Sequence, residues 1–179
     1  SKTIRLLLVM FLTLTVSANV WGADVTFATS AYNGKGGASG TGGNATATID
    51  GVTITSTKAY YTSAHIREYS GGTITVSSSS NITKIVFTST SSDTNSNGPG
   101  KISLNSGGGS YSYSGTKGTW TGSSTSIQFD CDAQFRWTQI VVTTKDADPY
   151  TVTFHTTATK EEDIKEASAG AGVTPPTME

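Results

Sequence analysis

From residue 24 to residue 144 the chain consists of short runs in which apolar residues alternate with Ser and Thr, broken at intervals by Gly, Asn and Ser clusters. No stretch of it repeats apolar residues at helical spacing. Alternation at period two sends successive side chains to opposite faces of a strand, so this pattern predicts half-buried antiparallel strands with one wet and one dry face. The expected strands are residues 24–29, 45–49, 52–56, 65–69, 73–77, 82–89, 101–105, 110–114, 119–121, 126–131 and 134–144. Asp50-Gly51 sits between two alternating runs as a two-residue hairpin turn, because both of its residues tolerate positive φ. Further turns are expected at Ser70-Gly71-Gly72, Asn97-Gly98-Pro99-Gly100, Gly107-Gly108-Gly109 and Gly122-Ser123-Ser124. Turn signals at this frequency suit an all-β fold, an antiparallel β-sandwich of jelly-roll type. The Thr-x-Thr pairs at Thr46/Thr48, Thr53/Thr55, Thr73/Thr75 and Thr151/Thr153 lack the fixed period of a solenoid and are read as the wet faces of ordinary strands.

The N-terminus reads differently. Lys2 and Arg5 precede an apolar run from Leu6 that continues to Val16, the pattern of a signal peptide. The run is broken at Asn19, Gly22 and Asp24, short of the ~20 apolar residues of a membrane span. Small residues allow cleavage after Ala18 or Gly22, and the second is preferred because a strand pattern begins at Asp24. The expected organisation is a signal peptide at residues 1–22, a β-sandwich module at 23–145, a linker at 146–149, and at 150–179 either a tail or the truncated start of a second β-rich module. Roughly 155 residues remain after cleavage, enough for one sizeable core and a remainder. An exported chain, at the cell surface, extracellular or in a periplasm, follows, with no membrane span after cleavage.

Without Lys2 and Arg5 the chain carries 10 basic and 13 acidic side chains. That balance offers no footprint for nucleic acid. Cys131 is the only cysteine, so no intramolecular disulfide can form. It shares its period with Ile127 and Phe129, which predicts a thiol packed as a small hydrophobe.

Chemistry-bearing motifs are sparse. The glycine-rich stretch at residues 34–43 is followed by a strand pattern rather than a helix, so it lacks the helix N-terminus of a phosphate site and reads as a loop. A glycosidase needs two carboxyl groups across a cleft. The module offers Asp24, Asp50, Glu68, Asp93, Asp130 and Asp132, with Asp50 accounted for by its turn. Asp130 and Asp132, beside Gln128, could help hold a calcium ion or could be solvated charges. His65 and His155 have no ligand partners at metal spacing, and no Gly-x-Ser-x-Gly elbow is present. The expectation is a non-catalytic chain. Stacking a sugar ring requires an exposed aromatic face with polar groups beside it, for which Tyr60, Tyr61, Tyr69, Tyr111, Tyr113, Trp120 and Trp137 are the candidates. Trp120, in a strand between Thr119 and Thr121, is favoured as a core residue while staying among the candidates. Phe135, Trp137 and Val141 share one face of their strand and Arg136, Thr138, Ile140 and Val142 the other, which slightly favours Trp137 inside. Arg67 beside Tyr69 reads either as a sugar-binding pair or as a cation stacked on an aromatic.

Taken together, Asp24-Val25-Thr26-Phe27, Gly51-Val52-Thr53-Ile54-Thr55, Arg67-x-Tyr69, Asn81-Ile82-Thr83-Lys84-Ile85-Val86-Phe87, Gly98-Pro99-Gly100, Tyr111-x-Tyr113-x-Gly115, Gly118-Thr119-Trp120-Thr121-Gly122 and Arg136-x-Thr138-x-Ile140-Val141-Val142 resemble a carbohydrate-binding-like β-sandwich module of Bacteroidetes secreted and surface proteins. The resemblance covers residues 24–144. It implies an accessory module of a multimodular protein, with extracellular glycans as partners and no catalytic residues to carry over. Such modules look typically to carry a small residue at the position of Trp137, which turns the expectation towards an outward-facing Trp137. Tyr150-Thr151-Val152-Thr153-Phe154, followed by Ala169-Gly170-Ala171-Gly172-Val173 and Pro175, is similar to the opening of a Listeria–Bacteroides type repeat and implies further modules of the same polypeptide. The expected function is glycan binding or adhesion through Arg67, Tyr69, Trp120 and Trp137; the alternative is a structural spacer without a ligand, and the third reading is a glycoside or ester hydrolase.

Overall fold

In the run that starts at Val52, alternate residues Val52, Ile54 and Ser56 are buried while Thr53 and Thr55 face outward and meet the hydroxyls of Thr48 and Thr46 on the neighbouring strand. This alternation repeats along most strands of the structure, a computed structural model that describes residues 23–145. The described residues are mostly antiparallel β. Their strands are β1 (Ala23–Ala28), β2 (Gly43–Ile49), β3 (Val52–Tyr61), β4 (Ile66–Glu68), β5 (Thr73–Ser89), β6 (Ile102–Ser106), β7 (Ser110–Ser114), β8 (Lys117–Cys131) and β9 (Phe135–Thr144), with 3₁₀ turns at Thr29–Tyr32 and Pro99–Lys101. The expected signal peptide at residues 1–22, the linker at 146–149, the second-module start at 150–179 and His155 lie outside the described residues.

β5 and β8 form the spine, paired from Thr73↔Asp130 to Thr88↔Lys117. The first half of β5 pairs with β3 and the second half with β9. β4 then joins the far end of β3 to the start of β9. The hydrogen-bonded path β3–β5–β9–β4 therefore closes on itself. β2 flanks β3, β1 flanks β9, and β6 and β7 flank the two halves of β8. The core holds Phe27, Tyr32, Ile54, Phe87, Trp120, Phe129, Phe135 and Trp137, all fully buried. Phe87 is a hub, with edge-on contacts to Phe129 at 5.0 Å and Phe135 at 5.9 Å between ring centroids. Edge-to-face packing aligns the positive rim of one ring with the negative face of the next.

Two expected interruptions are corrected. Residues 73–77 and 82–89 belong to one strand, as do 119–121 and 126–131, because the two long strands pair on both sides of the break. What reads as a turn at Gly122-Ser123-Ser124 is a shift of register in the β5–β8 ladder. The Asp50-Gly51 hairpin is formed as expected, with Ile49 paired to Val52 and φ of 45° at Asp50 and 76° at Gly51.

β9 departs from simple alternation. Ser89 pairs with Trp137 but Thr88 pairs with Gln139, so Thr138 is an extra residue, a β-bulge. Before the bulge Phe135 and Trp137 point inward; after it Ile140, Val142 and Thr144 do. The expected grouping of Val141 with Trp137 fails for this reason.

Candidate functional site

β4 is only three residues long, yet it presents a charged side chain between two strands. Ile66 and Glu68 are buried, which turns Arg67 outward. Phe135 and Trp137 are buried, which turns Arg136 outward. The register places Tyr60, Arg67 and Arg136 directly opposite one another across β3, β4 and β9. The Arg67 guanidinium carbon lies 5.7 Å from the centre of the Tyr60 ring, within cation–π range.

The groups around this row are polar and lack negative charge. Arg67 Nε donates to His65 Nε2 at 3.1 Å, which requires that nitrogen to be unprotonated. Burial, and then the positive charges of Arg136 and Arg67, hold the His65 pKa below its ordinary value. Arg136 Nη2 donates to Gln134 Oε1 at 3.1 Å, while its Nε is enclosed without an acceptor. Tyr69 Oη accepts the Gly40 N–H at 2.6 Å. Burial opposes ionisation of this phenol, but the Gly40 N–H, the Ser39 side chain and Arg67 outweigh it and lower its pKa. Gly36 and Gly42 let the glycine-rich loop run this close: a Cβ on Gly36 would lie 2.6 Å from the Ala59 carbonyl oxygen. The stretch at residues 34–43 is thus a wall beside β3, bridged to Tyr60 through Gly36.

Of the four residues expected to bind a ligand, the structure brings Arg67 and Tyr69 together and places Trp120 and Trp137 elsewhere. Both indoles are fully buried and have no face free for a sugar ring. Trp120 Nε1 donates to the Gly108 carbonyl at 2.8 Å, pinning the β6–β7 turn. The outward Trp137 implied by the resemblance is corrected: its ring packs edge-on against Tyr32 at 5.4 Å and its Nε1 donates to Glu68 Oε1 at 3.0 Å. Among the other aromatic candidates, Tyr61 and Tyr111 pack partly against the core, and Tyr113 is exposed.

Glu68 is the centre of a buried polar group. Ser56 Oγ also donates to Glu68 Oε1, at 2.8 Å, and Tyr32 Oη lies 3.0 Å from Ser56 Oγ. Desolvation pushes the Glu68 pKa up to about 7, against the opposing pull of the hydrogen bonds from Trp137 and Ser56. Such a value would suit a general acid. Glu68 is only 1 % exposed, however, which keeps its carboxyl away from a substrate. The signal for this residue was available in the sequence, since Ile66-x-Glu68 places the carboxyl on the face of a core isoleucine.

Asp130 and Asp132 border an open depression of about 440 Å³ with Ser70, Gly71, Gly72 and Thr73. Asp130 Oδ2 accepts from Asn105 Nδ2 at 2.7 Å, and Asp132 is exposed. Calcium takes six to eight oxygens. Among the described residues no group of three or more His, Cys, Asp or Glu converges there or elsewhere.

No family model, curated protein or solved structure matches this chain. Among the described residues, no helix is long and apolar enough to cross a membrane.

Proposed function

We propose that this chain is an exported, non-catalytic accessory module of a cell-surface or secreted protein, a β-sandwich of jelly-roll type that recognises glycans on the outward face of β3, β4 and β9. The single observation that carries the reading is the row Tyr60–Arg67–Arg136 with Tyr69 beside it: aromatic faces and guanidinium donors on one side of a rigid sheet. A sugar ring offers C–H faces that stack on aromatics and hydroxyls that accept from guanidinium N–H groups. Export is supported by the charged-then-apolar N-terminal pattern.

The test is a glycan-array screen of the protein, with and without calcium, followed by Arg67→Ala and Tyr69→Ala. Binding to a related set of glycans that both substitutions weaken, with the thermal transition retained, is the expected result. A folded protein that binds none returns the chain to the spacer reading.

A further inference from the structure

We infer that the ligand of the β3–β4–β9 face is an acidic saccharide, one whose carboxylate or sulfate oxygens are gripped between Arg67 and Arg136; this rests on the glycan-recognition reading above. Arg67 and Arg136 are cross-strand partners on the same outward face, a placement in which like charges repel. No carboxylate relieves the pair: among the described residues neither guanidinium is in an ion pair. Glu68, adjacent in sequence to Arg67, points into the core and is spent on Trp137 and Ser56. Asp93 lies on the loop that reaches the Arg136 backbone through the Asn97 carbonyl, and its carboxylate accepts the Gly115 N–H.

The other groups facing the pair are a neutral imidazole, two phenols and an amide. His65 offers Nε2 only as an acceptor to Arg67, and Gln134 occupies one donor of Arg136. An oxyanion seated between the two forks would accept from both, screen their repulsion and leave the Tyr60 and Tyr69 rings to the sugar body. The whole chain has a formal charge of −1, so this positive spot is local and not a by-product of a basic protein.

The experiment extends the array to neutral, uronic-acid-bearing and sulfated glycans, with affinities of the hits measured by calorimetry at rising salt. Hits confined to anionic glycans, weakened about tenfold or more by Arg67→Ala and by Arg136→Ala, are expected. Arg136→Lys, which keeps the charge but loses the fork, should recover only part of the loss. Lys117→Ala, on a different strand and outside the row, should leave affinity unchanged, which separates a site from general ion exchange. Uronic-acid hits alone or sulfated hits alone identify which oxyanion is held. Hits among neutral glycans, or anionic binding indifferent to both arginine substitutions, overturn this inference and leave glycan recognition standing; a folded protein with no hit at all overturns the recognition reading itself. Removing one arginine relieves the cross-strand repulsion, so the variants should keep the thermal transition of the parent.

Discussion

Replacing Glu68 by Gln tests the physics of the core directly. Glu68 has an ordinary pKa of 4.5 and about 7 in the fold, raised by desolvation. Between these values the folded protein holds a proton that the unfolded chain releases, so unfolding becomes easier as pH rises. The stability present below pH 4.5 is lost progressively up to pH 7 and stays lost above it. A shift of this size corresponds to roughly 3 kcal/mol. A glutamine keeps an acceptor for Trp137 Nε1 and Ser56 Oγ but cannot ionise. The variant should therefore match the parent at pH 4.5 and exceed it at pH 8 by about 3 kcal/mol. Urea unfolding followed by tryptophan fluorescence at a series of pH values measures this. His65 acts in the opposite direction, since its lowered pKa adds stability as pH rises through its unfolded value of 6.5. Subtracting the two proteins' curves removes that contribution and leaves Glu68 alone. A variant curve parallel to the parent's, or a parent whose excess over the variant grows with pH, would refute the reasoning.

Two further outcomes follow from the core and the loop. The Cys131 thiol, pushed up chiefly by burial and then by the nearby carboxylates, should resist a disulfide reagent such as DTNB at pH 8 in the folded protein and react readily in urea; equal rates in both states would place it at the surface. Gly51→Ala, at φ 76° with open space around it, should cost about 1–2 kcal/mol. Gly36→Ala, at φ 86° and against the Ala59 carbonyl, should cost more, and thermal melts showing the reverse order would mean that the loop does not pack on β3.

Much of this protein was legible in the chain because alternation is a local property. The Asp50-Gly51 turn, the all-β character, the dry faces carrying Ile54, Phe87 and Phe129, and the outward Arg67 all follow from period two and turn chemistry. The same reasoning buried Cys131 and Trp120.

What the chain could not disclose depends on pairing between distant residues. The β-bulge at Thr138 exists because β9 must keep register with β5, some 50 residues away, and it reverses the inward parity that decides the fate of Val141 and Ile140. Period two alone already favours Trp137 inside, against the resemblance; what only the fold supplies is its partner, Glu68, 69 positions earlier, which accepts from its Nε1 where water is excluded. Arg67 and Arg136 become neighbours only when β4 closes the path between β3 and β9. By itself the sequence determined which faces are dry and where the strands turn, because a side chain's direction is set within two residues. The tertiary structure decided which faces meet, and with them the partners of the buried carboxyl and the paired arginines, because partner choice is made by ladders closed across the whole chain.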